Sequence, residues 1–266
     1  MGGHTSCVAI TADGDHVPRL VLDAGTGLRR LSASLDGRPF QGTLVLGHLH
    51  WDHTQGLPFF AAGDHPHAEV VVLGPAPAGD TLESVLARMI SPPLFPIVPM
   101  ELRGTWEFRA IEPGLLDVEG FEVLVREIPH KGGRTFGLRV SDGNAAVAYL
   151  SDHAPQSLGP GEDGVGEYHP AGLELARDAH LLIHDAQYTA EELRTRGSYG
   201  HAAAEYAVGL GERAGARCLA LFHHDPARTD DQVEIIAESL RSRALEVVVA
   251  REGLALRLPS TPRGSR

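Results

Sequence analysis

Positive charge, cysteine and long apolar runs are all scarce in this chain of 266 residues. Lysine and arginine number 23 against 35 acidic residues, which gives a formal net charge of −12. Such a surface repels phosphate backbones unless basic residues cluster locally or metal ions supply positive charge. The composition therefore disfavours nucleic acid and anionic membranes as partners, and leaves open a small anionic substrate drawn to a metal centre.

The two cysteines, Cys7 and Cys218, each lie in an apolar run. We expect small buried side chains there rather than a disulfide framework or a thiolate metal site. No apolar run approaches the roughly 20 residues of a membrane span. Residues 1–4 lack the basic stretch and the apolar segment of a signal peptide. These features predict a soluble, cytoplasmic protein.

Short β-branched runs alternate with helical patterns along most of the chain. Alternation of this kind predicts an α/β layered fold. We predict one domain over residues 1–258 and a disordered tail over residues 259–266. The proline-rich segment 91–100 is a candidate lid, and segment 155–170, rich in glycine and acidic residues, is predicted as a surface loop. The patterns predict strands over 19–23, 43–46, 69–73, 121–128, 135–140, 145–150, 181–183, 219–222 and 246–250, and helices over 81–90, 202–213 and 230–241.

Three of the 15 histidines and one aspartate crowd into six residues after the predicted strand 43–46. Side chains alternate along an extended chain, so His48 and His50 can point the same way. Asp52 and His53 then lie where the chain turns into the next helix, where they can face a second site. Neutral imidazoles and carboxylates are ligands that Zn²⁺, Mn²⁺ and Fe accept. The spacing therefore predicts a metal cluster.

The pattern His48-x-His50-x-Asp52-His53 resembles the signature of the metallo-β-lactamase superfamily. Three later segments resemble further motifs of that family in the same order: 127–140 around His130, 149–152 ending in Asp152, and 221–226 with His223 and His224. The resemblance runs from about Gly3 to Pro226. It implies the α/β, four-layer αββα sandwich of the metallo-β-lactamase fold. It also implies an enzyme with two divalent metal ions, with Zn first and Mn or Fe as alternatives.

The resemblance assigns metal ligands position by position. His48, His50 and His130 would bind one ion, Asp52, His53 and His223 would bind the other, and Asp152 would bridge the two. His224 directly follows His223 and stays an alternative for the last ligand. His153 directly follows Asp152 and is a candidate for a supporting role beside the ligands.

The later motifs look most like the phosphodiesterase branch of the superfamily, which includes the tRNA 3′-end endonuclease RNase Z. His184-Asp185-Ala186-Gln187 stands where that branch has His-Glu-Ala-Thr, and Gly200-His201 matches its Gly-His. The resemblance implies that Asp185 orients His201, which protonates the leaving oxygen or binds the phosphoryl group. We count Asp52, Asp185 and His201 as catalytic candidates. The alternative for Asp185 and His201 is a strand-end aspartate and a helix-start histidine without a role.

The leading hypothesis is a phosphodiesterase in which a hydroxide that bridges two metal ions attacks a small anionic phosphodiester. The first alternative is hydrolysis of a thioester, lactone or β-lactam, because the same nucleophile attacks carbonyl carbon and fold does not fix function. An RNA-processing endonuclease and a non-enzymatic metal sensor are further alternatives.

Partners follow less directly from the sequence. RNase Z-type enzymes carry a long arm that grips tRNA, whereas segment 155–170 is short and acidic, so nucleic acid is an unfavoured partner here. Lys131 and Arg134, beside His130, either touch an anionic substrate or form a solvated pair. A homodimer is expected from the fold, and no membrane partner is expected.

Overall fold

The computed structural model describes residues 1–241 and 244–259, so the predicted tail lies outside the described residues from position 260 onward. The chain divides into two compact units. The N-terminal unit is His4–Glu112, and the C-terminal unit is Met1–Gly3 together with the residues from Pro113 onward. The described part contains no helix that combines the length and apolarity needed to cross a membrane. The prediction of one domain over residues 1–258 stays a prediction.

The N-terminal unit is built on a five-stranded sheet with the strand order β1-β2-β3-β4-β5. Strand β1 is antiparallel to β2, and the other neighbours are parallel. The strands are β1 Val8–Ile10, β2 Leu20–Leu22, β3 Gln41–Val45, β4 Glu69–Gly74 and β5 Thr105–Ala110, and the helices are α1 Leu28–Ser34, α2 Trp51–Thr54 and α3 Leu82–Ala87.

Apolar side chains of the middle strands form the core of the N-terminal unit. Leu44 and Val72, on the neighbouring strands β3 and β4, are fully buried. The rings of Phe40 and Phe60 meet edge to face with centroids 5.2 Å apart. Burial of each such side chain contributes roughly 1.5–3 kcal/mol, so this core can fix the end of β3, where the histidine motif begins.

The C-terminal unit is built on a seven-stranded sheet with the order β12-β11-β10-β9-β8-β7-β6. Strands β9 to β12 are parallel to their neighbours in that half, and β6 to β9 form antiparallel hairpins. The strands are β6 Gly114–Val118, β7 Phe121–Glu127, β8 Phe136–Ser141, β9 Ala146–Leu150, β10 Leu181–Asp185, β11 Cys218–Phe222 and β12 Glu246–Val249, and the helices are α4 Pro170–Ala176, α5 Ala190–Arg196, α6 Ala204–Ala214 and α7 Asp230–Ser239.

Helix α6 supplies much of the core of the C-terminal unit. Its residues Tyr206 and Leu210 are fully buried in one cluster with Leu182 of β10 and Leu219 of β11. This packing holds the parallel strands β10 and β11 in register. Their carboxyl ends are therefore fixed relative to each other, and chemistry-bearing residues lie at those ends.

Every predicted strand and helix is present, with ends that differ by a few residues. Helix α3 begins after Thr81, whose hydroxyl accepts a hydrogen bond from Ser84 N at 3.1 Å, and it ends at Ala87 rather than 90. Helix α6 begins at Ala204 rather than 202, because extended Ala203 forms a bridge with Tyr188. The structure adds elements that the sequence patterns did not predict, namely β1, β5, β6, α1, α4 and α5, and it gives the helix expected at Asp52 and His53 as the short α2.

Candidate functional site

The histidine motif of the N-terminal unit forms one compact cluster. Strand β3 ends at Val45, and α2 begins at Trp51 after an extended His50 at its N-cap. The His48 ring lies 4.5 Å from the His50 ring and 4.1 Å from the His53 ring, centroid to centroid. The structure therefore brings the three imidazoles of this motif together, as the spacing predicted.

Asp52 belongs to the same cluster. Its Oδ2 lies 3.4 Å from Nε2 of His53, and its side chain is 40% exposed whereas that of His53 is fully buried. A separation of 3.4 Å exceeds that of an ordinary hydrogen bond. It equals the distance of roughly 3.4 Å expected between two ligands that bind one tetrahedral Zn²⁺ at roughly 2.0–2.1 Å. The pair therefore has the geometry of two ligands of one ion.

Asp23, which the sequence analysis took only as the end of a strand, supports this cluster. Its carboxylate is fully buried, with Oδ2 2.6 Å from Nδ1 of His53, and its Oδ1 accepts a hydrogen bond from Gly47 N at 2.7 Å. The carboxylate can only accept, so Nδ1 of His53 carries the proton and Nε2 offers its lone pair. A carboxylate directly after a buried strand was the signal that could have found Asp23.

In the C-terminal unit the candidates come from separate segments that the parallel sheet gathers. Asp152 follows β9 by two residues, Asp185 is the last residue of β10, and His223 is the first residue after β11. These three strands are neighbours and parallel. The carboxyl ends of parallel strands meet at one edge of a sheet, which is where open α/β sheets bind ligands.

Asp152 is the centre of this second group. Its Oδ1 lies 3.6 Å from Nε2 of His130, 3.4 Å from Nε2 of His223 and 3.7 Å from Nδ1 of His201. The first two separations are again those of ligands that share a tetrahedral ion rather than of hydrogen-bonded partners. The chemistry of this donor set fits a divalent metal ion.

Hydrogen bonds fix the tautomers of the two histidines nearest Asp152. Nδ1 of His130 donates to the Gly200 carbonyl at 2.6 Å, and Nδ1 of His223 donates to Oε1 of Gln187 at 3.1 Å. Both rings therefore keep Nε2, the atom that faces Asp152, without a proton. The neighbouring His224 turns its Nε2 to the Ala250 carbonyl at 3.2 Å, so the geometry favours His223 over His224 as a ligand.

Asp185 and His201 form the hydrogen-bonded pair that the family resemblance implied. Oδ2 of the buried Asp185 accepts from Nδ1 of His201 at 2.9 Å and from His153 N at 3.1 Å, and Oδ1 accepts from Gln187 N at 3.0 Å. Three N–H groups therefore donate to this one carboxylate. The bond from Nδ1 orients the His201 ring, and an oriented imidazole suits the role of a proton donor.

A buried pair of histidines lies behind Asp185. Nδ1 of His184 donates to the Asp185 carbonyl at 2.7 Å, which leaves Nε2 of His184 to accept from Nδ1 of His153 at 3.0 Å. Burial lowers the pKa of both imidazoles, so both are neutral near pH 7. The sequence offered His153 as a supporting residue and gave no role to His184, although His184 matches the histidine of the family's His-Glu-Ala-Thr stretch.

Thiolate ligands play no part in either group. Burial raises the pKa of Cys7 to about 12, with the Asp23 charge as a second cause, and raises that of Cys218 to about 11, with Glu246 as a second cause. Both residues are free cysteines and protonated thiols near neutral pH. The imidazole and carboxylate groups therefore remain as the donors.

Comparison with known proteins places this geometry in a family. Residues 18–224 match the model of the beta-lactamase superfamily domain. Ribonuclease Z of Haloarcula marismortui is 25% identical over 287 aligned residues, which cover 96% of this chain and 91% of that protein. The crystal structure of the short form of human tRNase Z has a TM-score of 0.65 at 20% identity and covers 96% of this chain and 93% of that one. A diphosphatase from the PhnP family has a TM-score of 0.66 at 17% identity, over 91% and 81% of the two chains.

These relatives correct one expectation. The net charge and the short, acidic segment 155–170 predicted that nucleic acid is an unlikely partner. That expectation was wrong, because relatives aligned over 96% of the chain are ribonucleases. Net charge is an average over the whole surface, whereas phosphate binding depends on local charge, including that of metal ions.

The predicted fold is confirmed, because the family model covers most of the chain and YhfI of Bacillus subtilis, a metallo-beta-lactamase fold protein, has a TM-score of 0.63 over 88% of this chain. The family and its ribonuclease relatives also confirm the predicted enzyme class. The chain belongs to the beta-lactamase superfamily, as an RNase Z-like, metal-dependent hydrolase of the phosphodiesterase type.

Proposed function

We propose that this hydrolase cleaves the phosphodiester bonds of RNA, with small phosphodiesters as simpler substrates of the same site. The observation that carries the proposal is the pair of Asp185 and His201, joined at 2.9 Å, with Nδ1 of His201 3.7 Å from Oδ1 of Asp152. Hydrolysis of a phosphodiester expels a poor leaving oxygen that needs a proton. The ribonuclease names of relatives that span the chain support RNA as the substrate class.

The ligand assignment is part of this proposal. One ion would be held by His48, His50 and His130, the other by Asp52, His53 and His223, and Asp152 would bind both. Zn²⁺ is the first candidate and Mn²⁺ or Fe the alternatives, because imidazole and carboxylate donors suit all three. When bound, two such ions lower the pKa of a shared water toward neutrality and neutralise charge on the phosphoryl oxygens.

The remaining steps fall to the chain itself. With Nδ1 of His201 donating to Asp185, the proton for the leaving oxygen is carried on Nε2 of His201. The bond to Asp185 fixes the orientation of the His201 ring for this transfer. The His184 side chain bonds to the Asp185 backbone carbonyl and so holds this residue in place from behind. Asp52 is the third catalytic candidate. It would act as a metal ligand, and its side chain beside His53 is partly exposed to solvent.

The test compares phosphorus with carbonyl substrates. We expect turnover of bis-p-nitrophenyl phosphate and of a precursor tRNA, without comparable turnover of a thioester or a lactone. On the precursor tRNA, whose leaving oxygen needs a proton, His201→Ala is expected to lose roughly 10²- to 10⁴-fold in rate, the usual contribution of a general acid, while its metal content stays at the wild-type level. On bis-p-nitrophenyl phosphate the loss is expected to be much smaller, because p-nitrophenolate leaves without a proton.

His16→Ala serves as the control, because His16 is an exposed histidine of the N-terminal unit, outside both ligand groups. Turnover of the carbonyl substrates alone would overturn the phosphodiesterase proposal and favour the carbonyl alternative. A His201→Ala enzyme that is unimpaired on the precursor tRNA would remove His201 from the mechanism. Cleavage of the small diester without cleavage of the precursor tRNA would remove RNA as the substrate class.

A further inference from the structure

A short segment after α5, here called the rim segment and comprising residues 197–200, is fixed against His130 and Lys131. The Gly200 carbonyl accepts the Nδ1 hydrogen of His130 at 2.6 Å, and the Ser198 carbonyl accepts from Nζ of Lys131 at 3.0 Å. Gly200 has a φ of +98°, and a Cβ there would lie 2.7 Å from Cβ of Lys131. Two hydrogen bonds and a close backbone approach therefore attach this segment beside a candidate ligand.

Tyr199 lies within this segment and exposes much of its side chain to solvent. The residue is 61% exposed, although a tyrosine normally buries most of its ring. It is two residues from His201, and a chain reaches at most about 3.6 Å per residue, so the two Cα atoms lie within about 7 Å. An exposed aromatic ring is thus held at roughly one nucleotide's distance from the proposed general acid.

Lys131 adds a positive charge at the same place. It is the only lysine in a chain with a net charge of −12. Within residues 1–241 and 244–259, no carboxylate forms an ion pair with its ammonium group, whose recorded contact is the uncharged Ser198 carbonyl. The nearby Arg196 is different, because its guanidinium is paired with Asp225 at 2.7 Å. The charge of Lys131 therefore stays available to a ligand.

We propose that Tyr199 and Lys131 form a nucleotide subsite next to the scissile bond. The Tyr199 ring stacks on the base of the nucleotide that flanks the scissile phosphate, and the Lys131 ammonium pairs with a phosphate oxygen of the bound strand. This inference rests on the phosphodiesterase function proposed above and gives that site a substrate preference.

The chemistry of the two side chains selects this class of ligand. Every nucleobase has a π face, and stacking of a base on an exposed aromatic ring tolerates any sequence. Lysine binds phosphate as a compact point charge without the planar geometry that arginine imposes. The thioester or lactone group itself offers neither a base nor a phosphate to these side chains. The base can come from RNA or from a single nucleotide, and the experiment separates the two sources.

The experiment compares esters that share one leaving group. Methyl p-nitrophenyl phosphate and the 5′- and 3′-(p-nitrophenyl phosphate) esters of thymidine all release p-nitrophenolate and differ in the nucleoside. For the wild-type holoenzyme we expect a kcat/KM for at least one thymidine ester well above that for the methyl ester. Tyr199→Ala is expected to lower this ratio by roughly 5- to 150-fold, the range of one lost base stack. Tyr199→Phe keeps the ring and is expected to stay within about threefold.

Two further arms identify the source of the base and the role of Lys131. Cleavage of a precursor tRNA by Tyr199→Ala is expected to fall by the same factor if the base belongs to RNA, whereas an effect on the thymidine esters alone assigns the subsite to single nucleotides. Lys131→Met is expected to weaken binding of uridine 5′-monophosphate in calorimetry and to flatten its salt dependence, and Lys131→Arg restores the charge. The exposed Leu115 of β6 provides a control variant, Leu115→Ala.

The outcomes distinguish failure of the nucleotide subsite from failure of the phosphodiesterase function on which it depends. Absence of turnover of methyl p-nitrophenyl phosphate by the wild type would count against the phosphodiesterase function itself. Turnover of that ester with a thymidine-to-methyl ratio that Tyr199→Ala does not change overturns the stacking role of Tyr199. Uridine monophosphate binding that is equally tight in Lys131→Met overturns the role of Lys131.

Discussion

The two groups of candidate ligands are built in opposite ways. In the N-terminal unit, His48, His50, Asp52 and His53 lie within six residues, on one strand end and the first turn of α2. In the C-terminal unit, the candidates span residues 130 to 223. Asp152, Asp185 and His223 come together because β9, β10 and β11 are parallel neighbours, and His130 and His201 come from loops outside these strands. A compact group can be recognised from its spacing, whereas a dispersed group exists only once a sheet has formed.

The supports of the two groups differ as well. Among the compact residues, His53 is oriented by the charged carboxylate of Asp23. In the dispersed group, His130 is oriented by the Gly200 carbonyl and His223 by the Gln187 amide. A hydrogen bond from a histidine to a charged carboxylate is stronger than one to a neutral carbonyl or amide. Loss of the neutral partner, however, destabilises the fold less than loss of one partner of a buried charged pair. Replacement of single residues in each group can test this contrast.

The largest effect is expected in the dispersed group, from its adjacent histidines. His223→Ala should lose bound metal and on the order of 10³-fold in the hydrolysis rate of bis-p-nitrophenyl phosphate, since several kcal/mol of charge stabilisation depends on the ions. His224→Ala removes the neighbour that bonds to Ala250 and should keep both properties near the wild-type values. Plasma mass spectrometry measures the metal content of both variants, and steady-state kinetics measures their hydrolysis rates. The reverse result would make His224 the ligand.

A smaller effect is expected from the support of the compact group. Asp23→Asn keeps an acceptor for Gly47 N and tolerates the φ of +60° there, but it removes the negative charge beside His53. Metal affinity should fall by about 10- to 100-fold, as for other carboxylates that hold a metal-binding histidine, and competition with a chelator measures it.

Asp36→Asn is the matched control for Asp23→Asn, because Asp36 is exposed and also has a positive φ, of +49°. Equal metal affinity in Asp23→Asn and Asp36→Asn would show that the charge of Asp23 is dispensable. The compact group would then rest on neutral supports, just as the dispersed group does.

The smallest effect concerns the amino end of β10, at the opposite end of the strand from Asp185. Nδ1 of His180 accepts a hydrogen bond from Ala146 N at 3.2 Å, and burial, assisted by Arg217 and Arg139, lowers the pKa of His180. As pH falls below about 6.5, the unfolded chain binds this proton first, so the contribution of neutral His180 is present above that pH and is lost below it.

His180→Gln keeps an acceptor for Ala146 N and cannot titrate. Between pH 8 and pH 5.5, its free energy of unfolding should therefore fall less than that of the wild type. Urea unfolding at both pH values measures the difference. The same pH dependence in both proteins would show that His180 titrates alike in the folded and unfolded states.

The sequence predicted what depends on local patterns. The apolar strands β3, β4 and β7 to β11 and the spacing from His48 to His53 are all local. The choice between His223 and His224 needed the structure, because it depends on the bonds from Gln187 and Ala250. Strand β5 escaped prediction because its residues are partly or fully exposed at the edge of the sheet and form no buried apolar run.

Supporting residues were the hardest to predict, because their partners are distant in sequence. Asp23 acts on His53 across 30 positions, and His184 reaches His153 across 31. Neither pair shares a motif, and only the pairing of parallel strands brings each one together. The expectation about nucleic acid failed for a related reason. The net charge of the chain does not say where on the surface the positive and negative residues lie.

The tight turn between β8 and β9 is a site where a label or a support can be attached to the protein. Oδ1 of Asp142 accepts hydrogen bonds from Asn144 N and Ala145 N, both at 2.8 Å, so the turn closes on itself. It lies at the amino end of β9, whereas Asp152 follows the carboxyl end, and five residues of strand span roughly 16 Å. A fluorophore, an affinity handle or a solid support grafted at this turn would leave the reactive edge open. Evolution can use the same separation, because loops at the reactive edge can be exchanged for new substrates while the opposite edge keeps the scaffold unchanged.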